Sequence, residues 1–383
     1  MDGEAAGARL GLAAARVAIS VDKMPWWAWA FPALASVLLA ATGLGVADAG
    51  ATPVLILDVV LLAGTVFAAV HHAEVVAARV CEPFGSLVLA VAVTVIEVAL
   101  IVSLILSGGP DKAALARDTV FAAVMIVCNG IVGLCLLVGG ARHHEQGFQV
   151  RGAAAALAVL ATLAALTLVL PNYTLGAPGP VFTQAQLLFV GVVSLVLYGV
   201  FVFVQTVRHR NYFLSGGRDD DDNDGAPAVL PSNAMTLASV VLLLVALVAV
   251  VLLAKILSPA LQAGVAAAGL PAAVVGVAIA ALVLMPEGLA AVRAARADRL
   301  QTSLNLALGS ALATIGLTIP AVAGVSLLLG LELVLGLEEK DTVLLVLTLV
   351  VATLTLGTGR TTVLQGAVHL VVFAVFLFLA AAP

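Results

Sequence analysis

Long apolar runs, separated by short stretches rich in glycine, proline or charge, make up most of this 383-residue chain. A helix needs about 20 apolar residues to cross the hydrocarbon of a bilayer. By that measure eleven runs qualify, at roughly 25–47, 52–72, 84–107, 119–140, 152–171, 182–206, 235–257, 271–292, 303–329, 342–357 and 361–381. Their apolar residues are continuous and do not alternate, which favours helices over barrel strands. The pattern predicts an all-α polytopic membrane protein with about 11 transmembrane helices. Trp26, Trp27 and Trp29 open the first run, where indoles gather at the lipid–water boundary, so it reads as a retained helix and not a cleaved signal peptide.

Composition supports that solvent. The chain is 63% hydrophobic and 10% charged, against about 25% charged in soluble domains. Its net charge of −5 matters less than where the basic residues fall. With the N-terminus in the cytoplasm, all but Lys112, Arg117, Lys255 and Lys340 of the 17 lysines and arginines lie on the inside, as cytoplasmic loops of membrane proteins prefer. Eleven helices then leave the C-terminus external, in a multi-pass protein of the cell (inner) membrane. Cys81, Cys128 and Cys135 lie in or beside apolar stretches and read as small buried residues, with no disulfide framework and no zinc motif.

The longest polar segment, 207–234, divides the runs unequally by one. Before it stand a cytoplasmic N-terminal segment (1–24), a leading helix (25–47) and five helices (52–206). After it stand five more (235–383). Five is odd, so two five-helix halves must cross the membrane in opposite senses, the inverted-repeat plan of many secondary transporters.

Two acids lie deep inside the runs. Glu97 is 13 residues past Phe84 on the third helix, about 20 Å in at ~1.5 Å per residue. Glu287 is 16 residues past Pro271 on the eighth. These are the second helices of the two halves, so the acids enter from opposite faces and can meet near the midplane. A carboxylate in a bilayer costs a few kcal/mol or more, and it survives by pairing, by taking a proton or by binding a cation. No buried Lys or Arg is near in sequence, so cation and proton compete for the same oxygens. Protonated acids acting as packing glue are the alternative. Pro286 frees a backbone carbonyl beside Glu287 and suggests a broken helix, or an ordinary kink. Thr94 precedes Glu97 by one turn. Asn305, Ser310, Thr314 and Thr318 mark one helix, and Asn129 with Gly130 its counterpart in the first half. Such residues line an ion site or simply let helices approach.

At the cytoplasmic end of the second helix, His71, His72, Glu74 and Glu82 offer proton sensing or admission, or form a solvated interfacial group. Asp58 is a mouth residue or a helix-start feature. The acidic run 219–224 begins like a calcium loop from Asp220, but Pro231 stands at the twelfth position where glutamate is needed, so it reads as a solvated linker.

These residues carry a resemblance. His72-Ala-Glu74, Glu82-Pro-Phe-Gly85-Ser86-Leu and Val95-Ile-Glu97-Val-Ala-Leu resemble the first repeat of bacterial calcium/proton antiporters of the ChaA type, in the cation/calcium exchanger superfamily. Pro286-Glu287-Gly288-Leu, Asn305-Leu-Ala-Leu-Gly309-Ser310 and Gly366-Ala-Val-His369-Leu resemble later segments. The resemblance implies one leading helix plus two inverted five-helix repeats, with Glu97 and Glu287 as the metal-binding acids. Where the wider superfamily often has Gly-Asn-Ala-x-Glu, this chain has Val93-Thr94-Val95-Ile96-Glu97 and Val283-Leu284-Met285-Pro286-Glu287, so both asparagines are replaced.

The expected activity is alternating-access exchange of cytoplasmic cation (calcium, also sodium or potassium) for external protons. The partners are these ions, protons and the lipid bilayer. No cofactor and no nucleic acid is expected, and a homo-oligomer is compatible. A passive cation channel is the other reading. An embedded enzyme is disfavoured, because no nucleophile–base pair or catalytic metal motif occurs.

Overall fold

Where a polar or glycine-marked stretch interrupts an apolar run, the chain turns back across the bilayer. The computed structural model describes residues 24–80, 84–106, 113–214 and 230–382, and every one of the eleven runs is helical within them. The helices are α1 (Trp26–Gly43), α2 (Thr52–Val80), α3 (Phe84–Leu106), α4 (Leu115–His143), α5 (Val150–Tyr173), α6 (Gln184–Arg208), α7 (Asn233–Ala267), α8 (Ala273–Arg296), α9 (Leu300–Leu329), α10 (Glu339–Leu356) and α11 (Val363–Ala381). Among the described residues ten are long and apolar enough to cross a membrane unaided. The exception is α10, an 18-residue helix whose first turn carries Glu339, Lys340 and Asp341.

Two helices outrun their apolar cores. α2 has 29 residues and α7 has 35, about 44 and 52 Å of helix. The alanine-rich stretch Ala73–Arg79 has no breaker and prolongs α2 past the expected 72. Pro259 is absorbed inside α7. Where α2 ends and α7 begins, Arg79 Nη2 donates to Asn233 Oδ1 at 2.6 Å.

Among the described residues the helices bury two large apolar cores, with a small third cluster of Cys135, Ala291 and Ala295 between α4 and α8. One joins α1, α2, α3, α7 and α8 around Leu62, Val66, Ile96, Val250 and Leu253. The larger joins α3–α6 with α8–α11 around Met125, Leu160, Leu312 and Ile315. The outer faces of α6, α7 and α10 expose Phe189, Val196, Leu244, Val248, Val346 and Leu354. Such faces fit lipid and would be insoluble in water. α4 and α11 cross closely because Gly133, Gly140 and Gly366 carry no side chain; a Cβ on Gly366 would run into Leu137 N and stand 2.8 Å from Gly133 O.

Two loop contacts tie the halves together. Between α4 and α5, β1 (Gln146–Gly147) pairs antiparallel with β2 (Arg360–Thr361), between α10 and α11. Val181, between α5 and α6, bridges Val334, between α9 and α10. Adding five to the helix numbers of the earlier loop and subtracting five from those of the later one turns one contact into the other. Helices α6 and α11 both start from a capping box, Thr183 with Gln186 and Thr362 with Gln365. Both α4 and α9 contain a wider π-turn, Ile126–Ile131 and Thr314–Thr318, as also occur in α5 and α6.

Candidate cation/proton site

Glu97 is carried inward by an unbroken apolar helix and is 3% exposed. The π-turn of α9 supplies its partner: Thr318 Oγ1 donates to Glu97 Oε2 at 2.7 Å, and Thr318 is itself fully buried. Thr314, at the start of that turn, lies within reach of the same carboxyl group. A π-turn adds a residue to the helix and rotates the side chains beyond it, and such turns recur at functional sites. Hydroxyl donors of this kind offset part of the cost of burying a carboxyl group.

Glu287 is held differently. The expected break at Pro286 does not occur, because α8 runs unbroken from Ala273 to Arg296 with the proline inside it. A proline removes only its own N–H, so the Leu282 carbonyl loses its helix partner while the rest of the ladder holds. Glu287 Oε2 is buried with no hydrogen-bond partner among the described residues. Its side chain lines a cavity of about 280 Å³ together with Tyr198, Gln205, Asn305 and Ser310. Helices α3 and α8 pack together, and Glu97 and Glu74 both lie within electrostatic reach of Glu287. Two carboxyl groups in each other's field, in apolar surroundings, are stabilised by any positive charge between them, a proton or a metal cation.

The other sequence candidates divide. Ser310 and Asn305 share the Glu287 cavity. Asn305 also accepts from Gln301 Nε2 at 2.9 Å and donates to Phe213 O at 2.6 Å, which fastens α9 to the segment after α6. Thr94 is buried one turn before Glu97. Asn129 bonds neither acid: its partners are Thr348 on α10 and His369 on α11. His72 is not a solvated interfacial residue, because α2 continues eight residues beyond it; it is fully buried, and its Nε2 meets Ala28 O of α1 at 2.9 Å. His71 stands edge-on to Trp27, ring centroids 5.2 Å apart. Glu74 is exposed. Asp58 is fully buried, with neither oxygen partnered among the described residues, so it is not a solvated mouth residue. Glu82, Cys81 and the acidic run 219–224 lie outside the described residues.

The partnership of Thr318 with Glu97 was visible in sequence only as the far end of the Ser310–Thr314–Thr318 series. Thr348 gave no signal, one of four threonines along an apolar helix. His369 gave one, a single histidine in the last span.

Comparison with known proteins agrees with this architecture. The family profile described as "Sodium/calcium exchanger protein" matches residues 50–207 and 238–382. A putative ionic transporter, y4hA, of Sinorhizobium fredii (strain NBRC 101917 / NGR234) is 54% identical over 368 residues, 96% of this chain and 99% of that protein. The sodium-potassium/proton antiporter ChaA of Escherichia coli (strain K12) is 36% identical over 347 residues, 91% of this chain and 94% of that protein. Among solved structures, the Ca2+/H+ antiporter YfkE superposes with a TM-score of 0.69 at 15% identity, covering 93% of this chain and 99% of that one. The H+/Ca2+ exchanger CAX superposes at 0.64 and 18%, covering 91% and 87%. The chain belongs to the sodium/calcium exchanger family of multi-pass membrane transporters, on the ChaA-type branch of the cation/calcium exchanger superfamily.

Proposed function

We propose that the protein exchanges a cytoplasmic cation for external protons by alternating access, with Glu97 and Glu287 as the oxygens for which cation and proton compete. The observation that carries this is the placement of both acids: on packed helices, within each other's field, one tied to Thr318 and one unpaired at a cavity. Segments 52–206 and 235–383 act as inverted repeats around the 207–234 loop, behind the leading helix 25–47. The two matched loop contacts and the two matched capping boxes support that division.

With the N-terminus inside, Gln205 ends a helix at the cytoplasm and Asn305 begins one there, so the cavity at Glu287 faces inward. Glu74, exposed and within reach of Glu287, is the member of the cytoplasmic group placed to pass ions to it. His71 and His72, packed on α1, transmit a change in protonation to that helix instead. The ions to consider are calcium, sodium and potassium, since relatives are named for each.

A passive channel is not favoured, because among the described residues the buried polar groups pair between helices, as Thr318 does with Glu97 and Asn129 with Thr348, where a channel would want an open polar lining. Purified protein in vesicles, tested with calcium, sodium and potassium in turn, separates the two. An antiporter gives cation flux that reverses with the imposed pH gradient and moves protons oppositely. Cation flux indifferent to that gradient would overturn the reading.

A further inference from the structure

The π-turn of α4 lies between two neighbours. On one side is α8, where a Cβ on Gly288, the residue after Glu287, would stand 3.1 Å from Ile131 Cδ1. On the other is α11, where Phe373 faces Gly130 and the His369 Cβ faces Gly133. Asn129 sits in this turn, fully buried, and is committed to the α10–α11 side. Thr348 gives its own proton to Leu344 O at 2.7 Å, so its Oγ1 accepts from Asn129 Nδ2 at 2.8 Å. The amide must then turn Oδ1 toward His369 Nδ1, 3.2 Å away. An amide oxygen only accepts, so His369 Nδ1 carries the proton. Thr348 and His369 are also 0% exposed.

The two π-turns are therefore engaged in opposite ways. That of α9 gives its hydroxyl to Glu97 on α3. That of α4 lies beside the Glu287 segment, yet its amide oxygen is occupied elsewhere. Calcium takes six to eight oxygen ligands, and each oxygen matters more to a divalent ion than to a monovalent one.

We propose that His369 is a specificity-determining positioning residue: by holding Asn129 Oδ1, it withholds a hard oxygen ligand from a cation at Glu287 and so biases the site toward monovalent ions. This rests on the reading of Glu287 as a cation ligand. His369→Leu frees the amide oxygen, and the ratio of KM for sodium to KM for calcium should rise about tenfold, the scale of one hydrogen-bonding contact to a charge. His369→Asn, whose amide N–H can stand in for Nδ1–H, should restore the ratio of the unmodified protein. In an Asn129→Ala background His369→Leu should shift nothing. His369→Phe, which keeps a ring but has no N–H to hold the amide oxygen, carries the same expectation as His369→Leu, should the latter not fold. An unchanged ratio in both single variants, or a shift that persists without Asn129, would overturn the proposal. Absence of proton-coupled flux in the unmodified protein would instead overturn the antiport reading.

Discussion

Glu97→Gln separates the charge of the site from its shape. The amide is nearly isosteric with the carboxylate, and its oxygen can still accept from Thr318, which donates at 2.7 Å in the unmodified protein. Its added N–H can turn to the Thr314 hydroxyl. Loss of stability should therefore stay near 1 kcal/mol, the worth of one rearranged hydrogen bond. The charge is a larger matter. A carboxylate oxygen about 2.4 Å from a cation, at an effective dielectric of about 20, attracts it by roughly 7 kcal/mol per unit of cation charge before desolvation. If one-fifth survives the loss of the cation's water, about 1.4 kcal/mol remains for a monovalent ion and twice that for a divalent one. Those are factors of about ten and one hundred in affinity. Exchange should also uncouple, because the amide has no proton to release. The assay is vesicles with an imposed pH gradient and a pH-sensitive dye, read beside the melting temperature of the purified variant. Normal KM and normal proton coupling in a variant that melts like the unmodified protein would refute the role given to Glu97.

Two other changes test the supports of the site. Thr318→Val leaves Glu97 short of its donor and should cost about 1.5–3 kcal/mol, seen as a lower melting temperature in detergent; the loss should largely disappear when Glu97 is Leu. Gly366→Ala forces a methyl group into the α4–α11 crossing and should cost about 1–3 kcal/mol, whereas Gly264→Ala, with nothing within 4 Å, should melt unchanged.

Much of this architecture is written in hydrophobicity. Eleven runs gave eleven helices because a bilayer leaves a spanning segment no other way to satisfy its backbone. Helix ends were less legible: nothing in Ala73–Arg79 says where lipid stops, so α2 ran on to Val80. Glu97 and Glu287 were legible because an acid in hydrocarbon is conspicuous. Their surroundings were not. A proline that looks like a break is absorbed when only one ladder bond is lost, as at Pro286. The two-sided use of α9, with Ser310 at the Glu287 cavity and Thr318 on Glu97, depends on a π-turn that no residue type announces. Asn129 looked like a ligand by position, and only the fold shows its hydrogen bonds taken by Thr348 and His369.

The lengths of α2 and α7 bear on the surrounding lipid. The tails of a bilayer are about 30 Å deep, and helices seldom tilt beyond about 40°. At that limit the 35 residues of α7 still span about 40 Å, so roughly 10 Å must stand among headgroups or water. The Arg79–Asn233 bond joins α2 to α7 at such an end. Thickening or thinning the bilayer therefore loads these two helices as a pair, which makes acyl-chain length a mechanical variable for this protein.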